Sequence, residues 1–277
     1  MEFRTLLNRW REHRRPLVMG ILNVTPDSFS DGGRYLAPAR ALAHAQRMAA
    51  DGADVIDVGG ESTRPGAAPV PEAEELRRVV PVVEALAEAG LPVAISVDTS
   101  KPAVMRAAVE AGASLVNDVR ALRVPGALET AAALGVPVCL MHMQGEPRTM
   151  QANPVYREVV SEVRDFLLER AAAAEAAGLS RGDLLLDPGF GFGKRLEHNL
   201  ALLKSLDRLV DTGYPVLVGM SRKRMIGEVL DRPVEQRLHG GLALAVIAAL
   251  KGAAVVRVHD VGPTVEALKM AHAVMTA

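Results

Sequence analysis

The sequence predicts a single α/β domain folded as a (β/α)8 TIM barrel, carried behind a short N-terminal extension. Eight short apolar runs recur along the 277 residues, and each is followed by a stretch with helical spacing. A doubly wound open sheet would use the same units. Polar residues of ligand type follow many of the runs rather than one crossover point, however, which suits the rim of a barrel. With 49% hydrophobic residues the chain can bury one core of that size more readily than two ordinary domains.

Residues 1–15 are charged and helix-compatible, with Phe3 and Trp10 available to pack beneath the domain, and the barrel is expected over residues 16–277. The first strand, 17–22, empties into a long polar loop from Asn23 to Gly33. A helix over 36–51 precedes the strand 54–58 and a second loop, Gly59 to Ala67. After a helix over 71–89, the strand 92–97 ends at Asp98. A helix near 101–111 leads to the strand 114–116, which ends at Asn117-Asp118. A helix over 125–134 precedes the strand 136–141 and His142. The longest helical pattern, 155–177, comes before Leu184-Leu185-Leu186, a run that stops abruptly at Asp187. A helix over 197–210 then precedes the strand 214–219, which runs into Ser221-Arg222-Lys223. Helical segments at 222–230 and 235–250, the strand 254–259 and a helix over 262–275 complete the chain.

Composition removes several function classes. A net charge of -1, with no basic block or aromatic-interleaved arginine stripe, leaves no footprint for nucleic acid. One cysteine excludes an intramolecular disulfide framework, and the N-terminus has no continuous apolar signal core. No run approaches the roughly 18 apolar residues of a membrane helix, so a cytoplasmic protein without a membrane partner is expected. Gly189-Phe190-Gly191-Phe192-Gly193 is not the dinucleotide fingerprint, and neither Ser62 nor Ser221 sits in a nucleophile elbow.

The strand ends carry the chemistry. A barrel brings Asp98, Asn117 and Asp187 to one mouth as a strongly accepting pocket. Such a pocket suits a flat heterocycle with a guanidine-like edge, since each carboxylate can receive two parallel N–H groups. The trio could instead bind a metal or act as an acid/base pair, although no further histidine or acid clusters beside it. Cations and phosphate-type donors surround it: Thr63 and Arg64 in the second loop, Lys223 after the seventh strand, and Arg257 and His259 two apart on the eighth, hence on one side. These would bind an anionic group such as a diphosphate, with Asn23 offering an oxygen to a magnesium ion. Each also has a plain structural reading. A surface Arg is usually solvated and a strand-end Asn is often a turn former. His142 near Cys139 reads as a packed histidine, and Met141 and Met143 as core or pocket wall.

Four blocks go further: Met19 to Gly33, Gly59 to Gly66, Asp187 to Lys194, and Ser221-Arg222-Lys223. In order and spacing, from about residue 16 onward, they closely resemble the bacterial dihydropteroate synthases, a pterin-binding family. The resemblance implies a barrel that joins 4-aminobenzoate to a dihydropterin diphosphate, (7,8-dihydropterin-6-yl)methyl diphosphate, releasing diphosphate. It sets Asp98, Asn117, Asp187 and Lys223 on the pterin, with Arg257 stacking near it and Met141 lining the cleft. Asn23, Thr63, Arg64, Arg257 and His259 fall on the diphosphate side, Asn23 as the Mg2+ ligand. Phe29, Pro65, Phe192 and Lys223 would border the aminobenzoate, and the first two loops would close over the ligands. Arg224 departs from the serine that many family members carry after Ser-Arg-Lys. The family also implies a homodimer through outer helices. A methyltetrahydrofolate-dependent methyltransferase shares the acidic pocket, but its substrate has no diphosphate for the Arg257/His259 pair, and no corrinoid partner domain fits here. A non-catalytic pterin-binding protein would bind the pterin diphosphate without releasing diphosphate.

Overall fold

The computed structural model describes residues 1–25, 36–62, 66–146 and 148–277. Among these, eight parallel strands alternate with helices: β1 (Leu17–Asn23), β2 (Val55–Gly59), β3 (Ala94–Asp98), β4 (Leu115–Asp118), β5 (Val138–Met141), β6 (Leu184–Asp187), β7 (Leu217–Val218) and β8 (Val255–Val258). They pair in the order β6-β5-β4-β3-β2-β1-β8-β7. A single bridge between Leu186 and Val216, with Leu186 N–H donating to Pro215 O at 2.9 Å, returns the last strand to the first and nearly closes the barrel.

Period-two alternation separates two cores. Val18 and Leu22 of β1 face outward into a large apolar layer shared with the surrounding helices, whereas Leu17 and Met19 face inward. The inward set continues around the staves as Val55, Ala94, Leu115, Cys139, Leu185, Leu217 and Val255. Helix α1 (Phe3–His13) closes the bottom of this interior. Its residues Phe3, Leu6, Leu7 and Trp10 recur at helical spacing and are all buried, which contributes about 1.5–3 kcal/mol for each large side chain. The Phe3 N–H donates to Ser114 Oγ at 3.2 Å, fixing the plug against the barrel.

The outer layer contains α2 (Leu36–Ala50), α3 (Glu72–Glu88), α4 (Pro102–Glu110), α5 (Ala127–Leu134), α6 (Val159–Ala176), α7 (Leu196–Lys204), α8 (Asp207–Val210), α9 (Arg224–Leu230), α10 (Leu238–Leu250) and α11 (Val261–Thr276). Several boundaries differ from the sequence expectation, three of them with a visible local cause. Glu158 accepts from the Val160 and Ser161 N–H groups and so caps α6, which begins four residues later than 155. The segment expected as one helix over 197–210 is two, because Ser205 leaves helical geometry at φ -110° and ψ 28°. The seventh strand shrinks to Leu217–Val218 because Pro215 lacks an N–H for the ladder.

Register carries the strand ends to one rim. Gly59 stands between Asn23 and Asp98, Asp98 beside Asn117, Met141 beside Asp187, and Arg257 beside Met19.

Candidate functional site

The floor of the site is an ion cluster built from staves of the barrel. Arg257 on β8 donates through Nε to Asp57 Oδ2 at 2.6 Å and through Nη2 to Asp98 Oδ2 at 2.9 Å. Asp57 is completely buried one pleat below the rim of β2, and it also accepts from Ser96 Oγ at 2.6 Å and from Asn117 Nδ2 at 3.1 Å. Two carboxylates therefore share one guanidinium. Burial pushes the Asp98 carboxyl up to about 8 against the opposing pull of Arg257, and the negative charges of Asp57, Glu75 and Asp118 add to the rise.

A second acid completes the rim from β6. Asp187 is buried, and its Oδ1 accepts from the Gly189 N–H at 2.7 Å, so the loop after the strand orients the carboxylate. Burial raises its pKa, while Lys223, the Gly189 amide, Lys194 and Arg257 act in the other direction. The half-buried Lys223 donates to Phe190 O, and its ammonium lies 4.6 Å from the Phe192 ring centre. Burial lowers the Lys223 pKa to about 8, with Asp187 opposing the fall. Phe192 packs against Val119, Met141, Met143 and Met150, which make one apolar wall above the acids. The wall and the ion cluster together offer carbon and hydrogen-bond acceptors at one end of the barrel, a combination suited to a flat polar ring.

The loop between Asp187 and α7 is held from within. Lys194 is buried, and its Nζ contacts His142 Nδ1 at 2.9 Å while donating to Gly189 O at 2.9 Å, Phe192 O at 3.0 Å and His142 O at 3.3 Å. His142 is accordingly a packed histidine, with Phe166 edge-on to its ring at 4.9 Å. Gly189 has φ +66°, and a Cβ there would overlap the carbonyl oxygen of His142.

Other expected residues sit around this centre. A Cβ on Gly59 would lie 3.8 Å from both Asn23 Oδ1 and Asp98 Oδ2, so both side chains border this glycine. The His259 N–H and Nδ1 lie 3.2 and 3.1 Å from Ser221 Oγ, which ties the loop after β7 to the end of β8. Lys101 pairs with Glu61 at the base of the second loop and with the buried Glu75 of α3. Arg224 extends into solvent and pairs with Glu228 along its own helix. Thr63, Arg64 and Pro65 of the second loop, and Phe29 of the first, lie outside the described residues. No group of three or more His, Cys, Asp or Glu side chains among the described residues is arranged to hold a metal ion.

The structure thus brings Asp98, Asn117, Asp187, Met141, Phe192, Lys223 and Arg257 around one end of the barrel. Three participants were not singled out from sequence. Asp57 is hidden between Ile56 and Val58, although a charge two residues before Gly59 in an apolar run is a legible signal. Lys194 reads as the end of a glycine-rich loop, and Ser221, set aside as a nucleophile, proves to be a partner of His259.

The sequence pattern of the family described as pterin binding enzyme matches residues 19–259. The chain is 56% identical over 262 residues to the dihydropteroate synthase of Escherichia coli K12, covering 95% of this chain and 93% of that protein. It is 54% identical to the Haemophilus influenzae dihydropteroate synthase, with 95% of each covered. Among solved structures, the Yersinia pestis dihydropteroate synthase in a sulfonamide drug complex superposes with a TM-score of 0.91 at 56% identity, covering 95% of this chain and 96% of that one. The Xanthomonas albilineans dihydropteroate synthase in complex with 7,8-dihydropteroate gives a TM-score of 0.86 at 53% identity, with 95% of each chain covered.

Proposed function

The chain belongs to the pterin-binding enzyme family as a dihydropteroate synthase, forming 7,8-dihydropteroate in folate biosynthesis, and from that premise we propose how its own residues carry the reaction. The reaction joins 4-aminobenzoate to (7,8-dihydropterin-6-yl)methyl diphosphate and releases diphosphate. The observation that supports the assignment best is the convergence of Asp98, Asn117 and Asp187 on one rim beside Arg257 and Lys223.

Asp187 takes the pterin's amino and ring N–H donors as a parallel pair. Asn117 and Asp98 meet the remaining ring positions, while Lys223 donates to the ring's carbonyl. Arg257 lies flat against the ring, and Met141 and Phe192 close its apolar sides. In this arrangement the pterin's donors replace the hydrogen bonds that the buried carboxylates would make with water.

The leaving group lies toward β1, the second loop and the end of β8. Arg257, His259, Thr63 and Arg64 stabilise the diphosphate as its bond to the methylene carbon breaks and positive charge spreads into the electron-rich ring. The aniline nitrogen of 4-aminobenzoate then attacks that carbon without needing a strong general base. Phe192 and Lys223 would border its site, and the family resemblance assigns Phe29 and Pro65 to it as well. Closure of the first two loops would exclude water, which competes for the same cation.

Magnesium fits the residues present. Asn23 Oδ1 is a hard oxygen beside Gly59 at the rim, and it would hold the ion together with substrate phosphates and water. When bound, the ion would neutralise part of the diphosphate charge.

We propose that the enzyme works in the cytoplasm as a homodimer. No helix among the described residues is long and apolar enough to cross a membrane. Ile247 and Leu250 on α10, and Met270 and Val274 on α11, are exposed apolar side chains on neighbouring outer helices, which supports pairing there.

The test is turnover with both substrates. Dihydropteroate and diphosphate should appear in equal amounts, stop when EDTA removes the metal, and need more Mg2+ after Asn23→Ala. Unchanged turnover in EDTA would remove the metal assignment.

A further inference from the structure

Asp57 has no place in the substrate contacts assigned above, yet it is tied to several of the side chains that make them. It is fully buried and receives three donors, Ser96 Oγ at 2.6 Å, Asn117 Nδ2 at 3.1 Å and Arg257 Nε at 2.6 Å. Those donors come from β3, β4 and β8, so one carboxylate on β2 ties together four staves of the barrel.

We propose that Asp57 is a positioning residue that sets the hydrogen-bonding sense of Asn117 and the fixed plane of Arg257, and thereby the recognition of the pterin ring; this rests on the site assignment made above.

The argument is one of donor and acceptor inventory. An ionised carboxylate only accepts hydrogen bonds. Facing Asp57, the Asn117 amide must therefore present Nδ2, which leaves Oδ1 for the opposite side. Asn117 is then an acceptor toward a ring N–H. A neutral amide at position 57 could accept or donate, so the Asn117 amide would lose its single orientation. The same carboxylate restrains Arg257. Its Nε edge is held by Asp57 and one Nη2 hydrogen by Asp98, and swinging the guanidinium outward would leave Asp57 buried without its counter-ion. Arg257 therefore works from a fixed position, presenting its planar face and the Nη1 edge that these two acids do not use. Ser96 supports the arrangement from below, since it holds Oδ1 and leaves Oδ2 to the other two donors.

The test compares steady-state kinetics of wild type, Asp57→Asn and Ser96→Ala, with each substrate varied in turn at saturating partner and Mg2+. For Asp57→Asn, KM for the pterin diphosphate should rise at least about tenfold while KM for 4-aminobenzoate stays within twofold. Ser96→Ala should move the same constant in the same direction by about two- to fivefold, and it carries the test if Asp57→Asn does not fold. A purely structural role predicts a different result. Loss of folded enzyme would lower kcat with both KM values unchanged, and that outcome, or wild-type kinetics in both variants, overturns the proposal. A wild-type enzyme that makes no dihydropteroate would instead overturn the site assignment beneath it.

Discussion

Lys194 Nζ lies 2.9 Å from His142 Nδ1 inside the protein, so the loop after β6 is joined to the loop after β5 through a buried amine. Burial holds the His142 imidazole down to about 2, with the charges of Lys194 and Arg123 acting the same way, which leaves a neutral ring able to accept. The remaining Lys194 donors serve backbone carbonyls of both loops, including those of Gly189 and Phe192 beside the site.

Replacing Lys194 should therefore loosen the site wall as well as the fold. Lys194→Met keeps the aliphatic stem but leaves several buried carbonyls without a donor, and should destabilise the protein by about 3 kcal/mol. Urea unfolding measures this as a lower midpoint at constant slope. A loss below about 1 kcal/mol would show that the carbonyls find other partners.

Gly189→Ala should be more damaging than an ordinary glycine replacement. The residue combines φ +66° with a Cβ position that overlaps the His142 carbonyl, whereas Gly178 has φ +104° with nothing within 4 Å. Gly178→Ala should lower stability by about 1 kcal/mol and Gly189→Ala by at least about 3 kcal/mol, with dihydropteroate formation lost only in the latter. Equal thermal melting shifts for the two variants would contradict the steric account.

The Lys223 ammonium should give the reaction an alkaline limb. Burial lowers its pKa to about 8, so as pH rises through that value the group loses its proton and its attraction for the pterin carbonyl. Plotted against pH, kcat/KM for the pterin diphosphate should fall above about pH 8, because this ratio reports groups of the free enzyme. In Lys223→Arg the cation stays charged throughout the assay range, and the limb should move up and away from 8. An identical limb in wild type and variant would assign it to another group.

Much of this architecture was legible because the barrel repeats one local rule. A short apolar run that ends in a polar residue marks both a strand and its active end, which is how Asp98, Asn117 and Asp187 could be picked out. The same rule fails for Asp57, because it sits one pleat below the rim, inside an apolar run between Ile56 and Val58 rather than at its end. Its role depends on partners 39, 60 and 200 residues away, and no local pattern encodes those pairings. Lys194 was obscured for a related reason: its partners are mostly backbone carbonyls, which every residue has. The break between α7 and α8 falls at Ser205, with no Gly or Pro in the segment to mark it in the sequence.

The reading of the site depends most on Asp187 as the acceptor of the pterin's paired N–H groups, and calorimetric titration of the dihydropterin diphosphate into wild type and Asp187→Asn tests it directly. The substitution keeps the shape but replaces one acceptor oxygen by a donor facing donors, so affinity should fall about a hundredfold or more while the folded state persists. Binding of the variant at wild-type affinity would contradict the account.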